Sequence, residues 1–168
     1  MNYKSIQTFI DACNALGLHH KEVDDIINSL EQISRASAAA FKLNIIRRAL
    51  NSGYEQPLLT GDVYYPYNPI STEQSSWYSG PFDGNIKPIG KFKYQNEMYI
   101  IYGGHAVNSG TSGLGKFSIQ DGVGVTDCNT AFLGCATREI AEHFGRCFGD
   151  VITEAKYGDL PGFELGSN

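Results

Sequence analysis

Residues 131–156 read AFLGCATREIAEHFGRCFGDVITEAK, and they predict a short strand that leads into one amphipathic helix. Large apolar side chains recur there at spacings of three and four residues, which places them on one stripe of an α-helix. Thr137 suits the N-cap position, and Glu139 puts negative charge near the positive end of the helix dipole. A stripe of this kind needs a sheet to cover. It consists of Ile140, Phe144, Phe148, Val151, Ile152 and Ala155.

Two glycines, Gly145 and Gly149, lie inside this predicted helix. An interior glycine costs about 1 kcal/mol relative to alanine, so their presence asks for a reason. We interpret them as a smooth flank that lets the helix lie close to a strand. The alternative is close approach by a ligand or by a second subunit.

The composition is that of a soluble domain, with 168 residues of which 42% are hydrophobic. We expect one domain spanning residues 1–168. The net charge of −5 argues against binding to duplex nucleic acid, which requires clustered Lys and Arg. The 10 tyrosines, 9 phenylalanines and 19 glycines suit either a twisted sheet with tight turns or an aromatic recognition surface.

The first residues, MNYKSIQTFIDACNALG, lack the basic start and apolar core of a secretory signal, so we expect no secretion through a signal peptide. No run approaches 18 apolar residues, and we expect no membrane association. Cys13, Cys128, Cys135 and Cys147 could form two disulfides by number alone. Cys13 and Cys147 lie on or beside apolar helix faces, so we predict reduced, structural cysteines in an intracellular protein.

Apolar periodicity indicates helices throughout residues 1–53, which we predict to form a helical layer. A short amphipathic helix is indicated by Ile6, Phe9, Ile10 and Cys13 and can end at Gly17. The same period restarts after His19 and His20. A third segment covers residues 37–51, with Gly53 as a stop. The pattern leaves open whether the second and third helices are continuous through residues 34–37.

Residues 54–88 form an aromatic and proline-rich region. The segment GDVYYPYNP at residues 61–69 can hold one strand, but Pro66 cannot donate to a ladder and limits that strand to an edge. We expect a long ordered loop over residues 68–88. Trp77 and Tyr78 in that loop are interpreted as a clamp onto the body of the domain, with a ligand platform or interface as the alternative.

Residues 89–133 predict an antiparallel sheet. The clearest hairpin joins residues 89–94 to residues 98–102 through a turn at residues 95–97. Asp121-Gly122 indicates a second hairpin, and residues 130–133 can add a last strand. The predicted fold is therefore α+β, with N-terminal helices and a C-terminal helix over residues 136–156 packed on a mainly antiparallel sheet.

The glycine-rich stretch at residues 103–116 contains GTSGLGK, which fits the spacing of a phosphate-binding loop. The residue after the lysine should be Ser or Thr to hold magnesium, and it is Phe117. The following segment also reads as a strand, whereas such a loop opens a helix. A plain connection is the simpler interpretation. Capture of a small anionic nucleotide is the alternative, with candidate ligands Gly104, His105, Ser109, Thr111 and Lys116.

An enzyme is a further alternative. Cys135 precedes a predicted helix N-terminus, which can lower a thiol pKa, and His105 or His143 could serve as base with Asp127 as orienting group. The spacing of the cysteines and histidines does not form the close pairs of a zinc site, so we expect no metal and no cofactor.

Three segments resemble a group of small uncharacterised proteins encoded by bacteriophages and prophages of gut Bacteroides-like bacteria. They are KLNIIRRALNSGYEQP at residues 42–57, VYYPYNP at residues 63–69 and LGCATREIAEHFGRCFGDVI at residues 133–152. The resemblance implies a virion component or a binder of a host molecule, such as a defence inhibitor, located in the host cytoplasm or the virion. It supplies no activity and no site residues. The leading hypothesis is a non-enzymatic binding or assembly protein that associates with itself or with another protein.

Overall fold

The fold is known from a computed structural model, which describes residues 2–52, 62–66, 70–72, 86–104, 114–118 and 134–166. Its helices and antiparallel strands confirm the predicted α+β class. After a 3₁₀ turn at Tyr3–Ser5, the helices are α1 (Phe9–Ala15), α2 (His20–Glu31), α3 (Arg35–Leu50) and α4 (Arg138–Tyr157).

Two of the N-terminal helices, α1 and α3, begin at a side-chain cap, whereas His19 before α2 makes no capping hydrogen bond. Thr8 and Asp11 form a capping box at α1, in which each side chain accepts from the backbone N–H of the other residue. Ser34 caps α3 by accepting a hydrogen bond from the N–H of Ser37. Helices α2 and α3 are therefore separate, which answers the question left open for residues 34–37.

Helix α4 matches its prediction to within two residues at either end. Thr137 is its N-cap, and Ile140, Phe144, Phe148 and Ile152 of the predicted stripe are buried. Val151 and Ala155 are half-buried at the edge of the core. The backbone of Phe148 is non-helical, with φ −129° and ψ 22°, so the helix is kinked there. A Cβ at Gly149 would meet no atom within 4 Å, so the predicted close approach of a strand is not found at that glycine.

Within the described ranges, the strands form two antiparallel sheets. A four-stranded sheet has the order β2-β4-β3-β6, and a two-stranded sheet pairs β1 with β5. The strands are β1 (Asp62–Pro66), β2 (Ile70–Thr72), β3 (Ile86–Tyr94), β4 (Glu97–Gly104), β5 (Leu114–Ser118) and β6 (Glu164–Leu165).

The predicted hairpin is confirmed as β3 and β4. Its two turn residues, Gln95 and Asn96, have φ values of 47° and 69°, the left-handed geometry that matches a two-residue hairpin turn to the strand twist. Phe92 of β3 is buried and stacks on Tyr99 at 5.2 Å and on Tyr157 of α4 at 5.1 Å between ring centroids. Helix α4 therefore packs against this sheet on one side, while α3 packs against α4 as part of the helical layer.

The structure differs from the loop expected over residues 68–88. Both β2 and the first residues of β3 lie in this range. β2 is three residues long and directly follows Pro69, so it is too short to show a periodic pattern, and its pairing with β4 defines it. β1 ends at Pro66 as an edge strand, as predicted, and β5 is its partner. The possible strand at residues 130–133 and the segment after Asp121-Gly122 lie outside the described residues.

Candidate functional site

The start of α4 is held in place by the residue that ends α3. Asn51 donates from Nδ2 to the carbonyls of Arg47 at 2.8 Å and Gly134 at 3.3 Å. Its Oδ1 accepts from the N–H of Ala136 at 2.8 Å. These hydrogen bonds fix the segment before α4 against α3, so the first turns of α4 have a defined position.

Cys135, the candidate nucleophile of the enzyme alternative, lies within this segment and is completely buried. Burial raises the pKa of its thiol to about 12, although the charge of Arg47 and a hydrogen bond with Asn51 act in the opposite direction. The thiol is therefore neutral and inaccessible near neutral pH. This environment is that of a structural cysteine rather than of a nucleophile.

His143 links α4 to the N-terminus of the chain. It is 5% exposed, and its Nε2 lies 2.7 Å from the carbonyl oxygen of Ile6. A carbonyl only accepts, so Nε2 carries the hydrogen and Nδ1 is the acceptor in the neutral ring. Tyr3 contacts the same imidazole edge-on, with 5.5 Å between ring centroids. His143 thus supports a contact between α4 and the 3₁₀ turn.

Cys147 lies one helical turn after His143 and is half-buried. Its Sγ is 3.8 Å from both ring nitrogens of His143. A sulfur equally far from the two nitrogens is not in line with the lone pair of Nδ1. Burial raises the pKa of the Cys147 thiol, and the charge of Arg146 opposes that effect. The pair is a packing contact rather than an aligned donor and acceptor for proton transfer.

A groove of about 600 Å³ opens above this contact, between the N-terminal residues and the first half of α4. The groove is open to solvent, and most of its lining side chains are polar or charged. Tyr3, Lys4 and Gln7 form one wall, and the other consists of Glu139, Glu142, His143, Arg146 and Cys147.

Comparisons with protein-family models, with curated protein sequences and with solved structures found no match to this chain. The groove and the surface are therefore interpreted from their own geometry. The described ranges contain no group of three His, Cys, Asp or Glu side chains arranged to hold a metal ion. Within the same ranges, no helix combines the length and the apolar composition needed to cross a bilayer.

A second feature is the outer side of α2, where apolar side chains face solvent. Val23 and Ile27 are buried on the inner side of the helix, and Leu30 is half-buried at its edge. Ile26 is 46% exposed. Ile33 lies two residues after the end of α2, where its N–H donates to the carbonyl of Leu30, and it is 83% exposed. We name these two residues, seven positions apart, the α2 outer stripe.

Most residues of the predicted anion loop and aromatic interface fall outside the described part of the chain. These are His105, Ser109, Thr111, Trp77 and Tyr78. Gly104 is the last residue of β4, and Lys116 lies in β5 opposite Tyr64 of β1. Lys116 therefore belongs to a strand, in agreement with the expectation that it does not open a helix.

Sequence reasoning named His143 as a possible base but did not bring the groove residues together, and the reason is physical. His143 and Cys147 are four apart on a helix, so their contact could have been inferred from the spacing. Tyr3 and Lys4 precede them by more than 130 positions, and no local pattern indicates which part of the core the N-terminal turn covers.

Proposed function

We propose that this protein is a non-enzymatic binding or assembly protein whose copies associate through the α2 outer stripe. The observation that carries the proposal is the exposure of Ile33 at 83%, together with the exposure of Ile26 at 46%. Removing apolar surface from water contributes about 25 cal/mol per Å², so isoleucines in this position favour a partner.

The spacing of the two isoleucines suits a second copy of the chain. Two α2 helices that pair antiparallel about a twofold axis near Ser29 bring Ile26 of each copy to Ile33 of the other. A twofold contact requires a patch that is complementary to itself, and two apolar side chains exchanged by the axis meet that requirement.

The setting that we propose is a phage one. It is supported by the resemblance over residues 42–57, 63–69 and 133–152 to small proteins of phages and prophages. In that setting the chain is a virion component or a binder of a host molecule, such as a defence inhibitor. The buried, neutral thiol of Cys135 supports a binding role over a catalytic one.

The test is the solution mass of the native chain across a concentration series, measured by light scattering and sedimentation. We expect the mass to rise with concentration in the native chain, and Ile33→Lys and Ile26→Lys to remain monomeric. Asn28→Lys, at an exposed position of the same helix, is the matched control for added charge and should associate like the native chain. A native chain that stays monomeric at its highest soluble concentration contradicts assembly through this stripe.

A further inference from the structure

The groove between the 3₁₀ turn and α4 has charged residues of both signs on its walls, and their partners decide its electrostatic character. Glu139 and Glu142 are the carboxylates, and Lys4 and Arg146 are the cations. A carboxylate that already pairs with a cation has a weaker electrostatic effect on a bound ligand than an unpaired carboxylate has.

Both carboxylates are engaged within α4 itself. Glu142 forms an ion pair with Arg138, with Oε1 2.8 Å from Nε. Hydrogen bonds from its own backbone N–H and from the Thr137 side chain lower the pKa of Glu139, so that carboxylate is turned towards the N-terminus of its own helix. Among the described residues, neither acid forms an ion pair with Lys4 or Arg146.

The two cations are in the opposite situation. Lys4 comes from the N-terminal wall and Arg146 from the α4 wall, and both are exposed to solvent. Among the residues that the structure describes, neither side chain has an ion-pair partner. In a chain with a net charge of −5, the groove thus carries two cations that have no ion-pair partner among the described residues, beside the carboxylate of Glu139, which stays charged.

We propose that this groove binds a small molecule through a carboxylate or phosphate group held between Lys4 and Arg146. Guanidinium and ammonium groups donate charge-assisted hydrogen bonds to such oxyanions, and Arg can do so with two parallel bonds. The ring of Tyr3 and the thiol of Cys147 line the space beside the anion. The buried His143, fixed by Ile6 and Tyr3, gives the site a rigid floor.

This site lies on α4 and the N-terminal turn, away from the α2 outer stripe, so it does not depend on self-association. It also differs from the glycine-rich segment at residues 103–116. Variants of Lys4 and Arg146 can therefore fail while Ile33→Lys behaves as expected, and the reverse.

Cys147 provides a reporter inside the groove. Cleavage after Lys and Arg yields CFGDVITEAK, residues 147–156, in which Cys147 is the single cysteine. The test measures the rate of carbamidomethylation of this peptide by iodoacetamide in the native, full-length chain. Inorganic phosphate is one probe and citrate the other, each compared with sodium chloride at the same ionic strength. Melting temperature is recorded in parallel.

We expect phosphate, citrate or both to slow modification of Cys147 and to raise the melting temperature at millimolar concentration. A response to phosphate alone assigns a phosphate ligand, and a response to citrate alone assigns a carboxylate ligand. Lys4→Ala and Arg146→Ala should each weaken the effect about tenfold to hundredfold in probe concentration, the usual loss for a hydrogen bond to a charged group. Lys4→Arg should retain the response. Lys21→Ala, which removes an exposed lysine of α2, is the control for net charge.

Rates with and without probe are compared within each variant, because Arg146 itself affects the pKa of the Cys147 thiol. Each variant must melt like the native chain without probe. If neither probe slows the modification, or if Lys21→Ala weakens the response as much as Lys4→Ala, the proposal is overturned. A rise in melting temperature without protection of Cys147 means that the anion binds elsewhere, which also overturns it.

Discussion

The side chain of Asn51 accepts a hydrogen bond from the backbone N–H of Ala136, at 2.8 Å and 85 positions further along the chain. The same amide also donates to the carbonyl of Gly134. One side chain therefore satisfies two polar backbone groups of the segment that enters α4. The position of the groove wall on α4 depends on this contact, because it sets where the helix begins relative to α3.

Asn51→Ala should destabilise the fold by about 1–3 kcal/mol, since the N–H of Ala136 and the carbonyl of Gly134 lose their partner in a partly buried place. Urea denaturation followed by circular dichroism measures the change. Asn44→Ala, at an exposed position of α3, is the matched control and should change stability by less than about 0.5 kcal/mol. Equal losses in the two variants would show that the Asn51 contacts are not significant.

The other end of α3 is held by residues that follow α4. Asp159 accepts hydrogen bonds from the hydroxyl of Ser34 at 2.5 Å and from the N–H of Ala36 at 3.1 Å. Arg35 pairs with Glu154, and its guanidinium lies 5.3 Å from the centre of the Phe163 ring. Helix α3 is thus bound at both ends by segments that flank α4, so the two helices should unfold together.

Asp159 makes this junction sensitive to acid. The hydrogen bond from Ser34, and then that from Ala36, lower the pKa of Asp159 below its ordinary value. A lowered pKa contributes stability that is complete above the unfolded-state value of about 3.9 and is lost as the pH falls through the lower folded-state value. Asp159→Asn should therefore melt below the native chain at pH 7, and the difference should shrink at pH values below the ordinary pKa of the carboxyl.

The measurement is a set of melting curves for both chains from neutral to acidic pH. Asp25→Asn, on the exposed side of α2, is the comparison variant. A difference between Asp159→Asn and the native chain that is the same at every pH would assign the role of Asp159 to shape rather than to charge.

The parts of the fold that the sequence predicted correctly are those in which local patterns decide the structure. The Thr137 cap, the buried stripe from Ile140 to Ile152 and the hairpin turn at Gln95-Asn96 all depend on residues within a few positions of one another. The sequence did not decide whether α2 and α3 are continuous, because only some of the contacts that fix the start of α3 are local. Ser34 caps α3, but its hydroxyl also donates to Asp159, 125 positions away.

The site was less predictable than the fold for the same reason. Its two cations approach from distant parts of the chain, and neither is part of a motif. For Cys135 the expected direction of the pKa shift was wrong. Its position before a helix suggested a lowered pKa, whereas complete burial raises the pKa. Desolvation depends on the tertiary packing around the thiol, which a local pattern does not reveal.

The apolar stripe of α4 allows a quantitative test of the core. Phe144 and Phe148 are 0% and 3% exposed and pack edge-to-face with 6.0 Å between ring centroids. Phe144→Ala and Phe148→Ala should each cost about 3–5 kcal/mol, because each leaves a cavity as well as losing apolar contacts. Denaturant titration gives the values, and Tyr94→Ala, at a side chain that is 52% exposed, is the control. Losses below about 1 kcal/mol at both phenylalanines would contradict a buried α4.

Replacing Gly149, inside α4, and Gly158, directly after it, with alanine should change the stability of the chain in opposite directions. A Cβ at Gly149 would meet no atom within 4 Å, so Gly149→Ala should stabilise the chain by up to about 1 kcal/mol through higher helix propensity. A Cβ at Gly158 would lie 2.5 Å from the carbonyl oxygen of Glu154 and 3.3 Å from the backbone nitrogen of Ala36. Both neighbours are backbone atoms, which cannot move without shifting the junction of α3 and α4.

Gly158→Ala should therefore destabilise the chain by about 1–3 kcal/mol, the usual cost of a forced steric overlap. Melting temperatures of the two variants under one buffer condition give the comparison directly. Stabilisation by Gly158→Ala would show that α3 and α4 do not approach as closely as the structure has them. Destabilisation by Gly149→Ala would point instead to the kink at Phe148, whose non-helical backbone directly precedes that glycine, as a feature that needs glycine beside it.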